Sequence, residues 1–118
     1  MKENPSTIAK TTIAPDVLVT IARLTALGVP GVSRLYPIPG GLNRLFTRGA
    51  NEGVRILVEN NTVYTDLYVV LNGDENVRNV CRTIQQRIAR AVSEMVGMEV
   101  GKINIHVEDM DYQLETAT

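Results

Sequence analysis

Apolar residues recur along this chain with two different periods. Val17, Leu18, Ile21 and Leu24 follow Pro15 at helical spacing and stop at Gly28, which predicts a first helix. Proline suits its first position because it has no N–H to leave unpaired there, and Asp16 suits the positive end of the dipole. A second stripe, Val77, Val80, Cys81, Ile84, Ile88, Ala91, Val92 and Met95, predicts a helix of about five turns. Asp74 or Asn76 can cap it and Gly97 ends it. Between the stripes the period drops to two. Val54–Glu59 and Thr62–Leu71 flank Asn60-Asn61, a pair that tolerates the positive φ angles of a two-residue hairpin turn. That turn sets Val58 opposite Val63, Ile56 opposite Thr65 and Val54 opposite Leu67 on the core face. On the other face Leu57 meets Tyr64 and Arg55 meets Asp66. Val32–Tyr36 and Val100–Val107 read as further strands, and Thr11–Ile13 as a short extended piece.

The order is therefore β-α-β-β-β-α-β. Each helix has one apolar stripe, so both should cover the same side of a small mixed or antiparallel sheet, leaving its other side open. The expected fold is an α+β two-layer sandwich, a single domain over residues 11–110, with a flexible polar arm at 1–10 and a polar tail at 111–118. Residues 37–53 contain Pro37, Pro39 and Gly40-Gly41 and read as a loop, within which Leu42, Leu45 and Phe46 make one short amphipathic turn.

Composition narrows the chemistry. The chain has 118 residues, 12 basic and 13 acidic side chains, and a net charge of −1, without the basic excess of a dedicated nucleic-acid binder. One cysteine and one histidine cannot form an internal disulfide or a usual Cys/His zinc site. Cys81 sits on the apolar stripe between Val80 and Ile84, where a small core residue is the ordinary role. No phosphate-cradling glycine loop, catalytic carboxylate pair or metal-spaced cluster is present, so no catalytic, cofactor or metal residue is expected. No apolar run has the length of a spanning helix and no signal-peptide core follows the first residues, which makes the cytoplasm the expected compartment.

Three surfaces remain as candidates for contact. Alternation places Arg55, Tyr64, Asp66, Tyr68, Asn104 and His106 on the open sheet face. Tyrosine there favours protein contact, and base stacking by a small single-stranded RNA-binding module is the alternative. Arg78, Arg82 and Arg90 lie on the solvent side of the second helix. Charge is uneven along the chain: eight arginines face five acids from Arg34 to Arg90, a net of +3, and six acids face Lys102 from Glu94 onward, a net of −5. A basic face meeting an acidic end would make a head-to-tail contact. The Leu42–Phe46 turn buries too little apolar area to anchor a membrane by itself.

Several segments resemble one known family. Thr12-Ile13-Ala14-Pro15-Asp16-Val17-Leu18, Gly28-Val29-Pro30-Gly31-Val32, Gly53-Val54-Arg55-Ile56, Thr65-Asp66-Leu67-Tyr68-Val69-Val70, Met95-Val96-Gly97-Met98-Glu99-Val100 and Asn104-Ile105-His106-Val107 occur in the order of motifs in the alkaline-shock-protein family. The resemblance covers residues 10 to 109; Pro37-Ile38-Pro39 departs from the pattern. It implies a non-enzymatic protein of cell-envelope stress that associates with itself and, as in some members, with the inner face of the membrane through a separate membrane-anchored partner. It brings no catalytic or metal residues. The expected function is a scaffold or adaptor of that kind.

Overall fold

The computed structural model describes residues 12–40 and 49–112. The residue before a proline is held out of the helical region, and Ala14 is accordingly extended (φ −66°, ψ 142°) where helix α1, Pro15–Leu27, begins. The strand expected at Thr11–Ile13 is absent over its described part: Thr12 and Ile13 pair with no strand and instead line a groove with Val58, Asn61, Val96 and Met98. The segment's groove neighbours are the hairpin residues Val58 and Asn61 and the Val96–Met98 segment rather than the length of a strand.

The face that α1 buries also differs from expectation. Leu18, Val19, Ala22 and Ala26 are buried, whereas Val17 and Leu24 are exposed, Leu24 at 55%. The alanines decide this. Along the Leu18-Ala22-Ala26 row their small side chains let the helix axis come close to the core, which a row of large side chains would hold off.

Four strands follow: β1 Val32–Leu35, β2 Val54–Glu59, β3 Thr62–Asn72 and β4 Glu99–Asp111. Asn60 (φ 49°) and Asn61 (φ 61°) close the β2–β3 hairpin, which holds the expected register from Val54–Leu67 to Glu59–Thr62. β1 is also antiparallel to β3, at Val32–Leu71 and Leu35–Val69, while β4 runs parallel to β3 along its whole length. The sheet is therefore mixed. β1 and β2 lie end to end on one edge of β3, and β4 occupies the other.

Helix α2, Val77–Arg90, is the crossover between the parallel strands β3 and β4. The Asn76 side chain caps it, accepting from the Asn79 N–H at 3.0 Å. From Ala91 to Val96 the helix widens into a π turn. One extra residue per turn advances the side-chain phase, so Met95, expected on the core stripe, is 72% exposed, and Val96 packs against the core instead. β4 begins at Glu99 and continues to Asp111, beyond the expected end at Val107. One core joins Leu18, Val19, Ala22 and Ala26 of α1 and Val80, Ile84 and Ile88 of α2 to Val54, Val63, Leu67, Val69 and Leu71 of the sheet. Both helices thus cover one face, the α+β two-layer arrangement; among the described residues no helix covers the other, although Val70 on it is fully buried.

Candidate functional site

The uncovered face is organised by register. The β2–β3 hairpin sets Arg55 beside Asp66, and the parallel β3–β4 pairing sets Asp66 beside Asn104 and Tyr68 beside His106. Five of the six candidates on this face therefore form one cluster spanning three strands. Asp66 is its hub. Its carboxylate accepts from Asn104 Nδ2 at 3.2 Å, pairs with His106 Nε2 at 3.1 Å, and stands 3.5 Å from Arg55 Nε. Burial alone would raise the Asp66 pKa, but the hydrogen bonds from His106 and Asn104 and the Arg55 charge outweigh it and hold the carboxyl below its ordinary range. The His106 ring lies flat against Tyr68, with centroids 4.3 Å apart and planes 12° from parallel.

Tyr64, the sixth candidate, sits at the edge of this cluster over Gly101. A Cβ on Gly101 would come within 2.5 Å of the tyrosine ring, so the missing side chain is what lets the ring lie across β4.

A second polar group, at the other end of the face, is one that sequence reasoning misses. Ser33 Oγ donates to Asp111 Oδ2 at 2.6 Å, and Arg34 Nε reaches the same oxygen at 3.2 Å. Both bonds run from β1 to β4 across β3, and they lower the Asp111 pKa. Alternation of apolar residues stops at Val107, which puts Asp111 in the polar tail. The signal in the sequence is Arg34, a basic residue on an otherwise uncharged strand segment whose β3 partner, Val70, offers it no charge.

Arg78, Arg82 and Arg90 are exposed on α2, on the opposite face of the molecule. Arg90 pairs with Glu94 one turn on, at 3.8 Å. Arg87, which sequence reasoning passes over, donates to the Gly28 carbonyl at 3.2 Å and ties α2 to the end of α1. Leu42, Leu45 and Phe46 lie outside the described residues. Burial pushes the Cys81 thiol up, away from the nucleophilic thiolate. Among the described residues, no group of three or more His, Cys, Asp and Glu side chains is placed to hold a metal ion, and no helix is long and apolar enough to cross a membrane.

The fold is thus a small α+β sandwich whose sheet face away from the helices, uncovered by any helix among the described residues, carries a pre-bonded polar and aromatic cluster. The model of the alkaline shock protein 23 family, described as having a cell envelope-related function, matches residues 3–112, and the chain belongs to that family, the alkaline-shock-protein family its motifs resemble. It is 24% identical over 114 residues to the uncharacterized protein YqhY of Bacillus subtilis (strain 168), covering 95% of this chain and 84% of that protein. With the uncharacterized protein Spy1535 of Streptococcus pyogenes serotype M6 it shares 30% identity over 104 residues, covering 86% of this chain and 78% of that one. Among solved structures it is similar to variants of MamM CTD. One has a TM-score of 0.58 at 11% identity, covering 81% of this chain and 95% of that one. Another, in a nickel form, has a TM-score of 0.58 at 10% identity, covering 81% and 99%. At such identity the likeness concerns the fold alone.

Proposed function

We propose that this member of the alkaline-shock-protein family is a non-catalytic scaffold or adaptor of the envelope stress response. It self-associates and docks, on the cytoplasmic side, on a membrane-anchored protein through the uncovered sheet face. The observation that carries this reading is the Arg55–Asp66–Asn104–His106–Tyr68 cluster. Its side chains are already bonded to one another, so a partner meets a surface whose rotamer entropy is largely spent before contact. Together with Tyr64 it offers two tyrosines and an arginine, the residue types that anchor protein interfaces. An ionised carboxylate at its hub opposes a phosphate backbone, which favours protein over RNA.

The test is affinity capture of the tagged chain from its native host, with membranes solubilised and nuclease added. Wild-type chain should retain itself and a membrane-anchored protein, and a Tyr64→Ser/Tyr68→Ser variant should lose the latter while keeping its circular dichroism spectrum. Capture of the same membrane protein by the variant rejects docking through this face. Loss of every partner on nuclease treatment rejects the adaptor reading in favour of RNA.

A further inference from the structure

Among the described residues β4 pairs with no strand other than β3, so along Glu99–Asp111 its outer edge has no strand partner. Which backbone groups face outward follows from the ladders. Tyr68 N–H and C=O both point toward β1 and β2, bonding Gly53 O and Tyr36 N. Thr65, Leu67 and Val69 therefore point toward β4. In a parallel pair the residues that answer them lie either side of each register partner, so Ile103, Ile105 and Val107, the partners of Thr65, Leu67 and Val69, turn their own N–H and C=O outward. Gln85 Nε2, reaching from α2 to the Ile103 carbonyl at 2.9 Å, marks that outward edge and is the side-chain bond there that a second strand displaces or shares.

The edge reads the same in both directions. Ladder irregularities opposite Val63/Thr65 and Val69/Val70 leave Ile103–Val107 as its regular stretch. Laid antiparallel on a second copy about an axis through Ile105, this stretch sets Ile105 against Ile105, Ile103 against Val107 and Asn104 against His106. Just outside, at the two irregularities that bound this stretch, Lys102 of each copy comes within reach of Glu108 of the other. Both are exposed, and neither holds an ion pair among the described residues. A shift of the axis to Ile103 or Val107 pairs neither Lys102 with an acid nor Glu108 with a base other than His106. The apolar side chains Val100, Ile103, Ile105 and Val107 are only partly buried, unlike the fully buried Leu67 and Val69 beside them on β3. A neighbouring strand would extend their cover.

We infer that the outer edge of β4 is a self-recognition seam. Two copies pair antiparallel through Ile103–Val107 with Lys102 and Glu108 fixing the register, making one continuous sheet. This rests on the reading that the chain self-associates, and gives it a place. The twofold puts both uncovered faces on one side, with Asn104 beside His106 across the seam, so two Asp66 clusters adjoin and present a paired docking surface.

Sedimentation of Lys102→Glu, Glu108→Lys and their equimolar mixture tests the seam. Each single variant turns both charge pairs repulsive and should self-associate roughly tenfold more weakly than wild type, with an unchanged circular dichroism spectrum because both side chains are exposed. The mixture restores both pairs, one in the native polarity and one reversed, and should recover assembly as a mixed pair. Wild-type assembly with single variants that assemble equally well, or a mixture that does not recover, overturns the seam and leaves self-association standing. A wild-type chain that stays monomeric overturns both.

Discussion

Tyr36 and Gly53 meet end to end on Tyr68: the Tyr36 N–H donates to the Tyr68 carbonyl at 2.8 Å, and the Tyr68 N–H donates to the Gly53 carbonyl at 2.9 Å. β1 and β2 are thereby one interrupted strand. The chain leaves the edge of β3 after Tyr36 and rejoins it at Gly53, with Ile38 N–H bonding Ala50 O at the base of the excursion. Gly53 has φ +79°, and a Cβ there would stand 2.5 Å from the Tyr36 carbonyl and 2.9 Å from that of Tyr68. Gly53→Ala should therefore destabilise the fold by about 2–3 kcal/mol, more than left-handed backbone alone costs. Urea denaturation measures it; a cost under about 1 kcal/mol would mean that the junction opens freely.

The Gly101–Tyr64 contact gives a second expectation. Gly101→Ala must push the ring off β4, at about 1–2 kcal/mol. In a Tyr64→Ser background the same change should cost little, because the atoms it strikes are gone. A double-mutant cycle reads the difference directly, and additive costs would show that the ring does not depend on the glycine.

Acid should release the Asp66 cluster. The folded-state pKa of Asp66 is lowered, so the unfolded chain takes up its proton first as pH falls. The stabilisation is complete above the unfolded value of about 3.9 and is lost as pH drops through the lower folded value. Asp66→Asn, which removes this linkage, should be less stable than wild type by about 1 kcal/mol from roughly pH 5 to 7. The gap should narrow below about pH 4. Denaturation curves at about pH 7 and pH 3 decide it, and a gap that widens in acid reverses the sign argued here.

The π turn separates two residues that sequence periodicity places on one core stripe. Met95→Gln should change stability by no more than about 0.5 kcal/mol because the side chain is in solvent, whereas Ile88→Ala on the same stripe should cost about 2–5 kcal/mol. Thermal unfolding of the two variants checks both.

That separation shows where sequence is legible. The hairpin is readable to the residue because Asn60-Asn61 fixes register locally, and register carries Arg55 to Asp66. Strand alternation then places Asn104 and His106 on the same face. What periodicity does not supply is spacing that depends on partners. It weights Val17 and Leu24 above Ala22 and Ala26, although the small residues decide how closely α1 approaches. It takes α2 as uniformly α-helical and so leaves Met95 inside. It ends β4 at Val107, where apolar alternation stops, although Asp111 is held by Ser33 and Arg34 through side-chain bonds. That β1 and β2 share one edge of β3 is a fact of strand order, which alternation does not encode.

The two charged faces of the molecule should respond differently to reversal. Arg78 and Arg82 are exposed on α2, away from the Asp66 cluster, and their charges act through solvent, where about 8 Å of screening length at physiological salt leaves little of an unpaired surface charge. If the uncovered sheet face carries docking, Arg78→Glu/Arg82→Glu should still capture the membrane-anchored partner at about 0.15 M salt, while Tyr68→Ser should not. The tyrosine change removes the ring stacked on His106 and leaves Asp66 bonded, so it alters the contact surface more than the network beneath it. Loss of capture by the arginine variant, with a steep dependence on salt, would transfer the docking role to α2 and leave the sheet-face cluster a stabilising device of the three strands it joins.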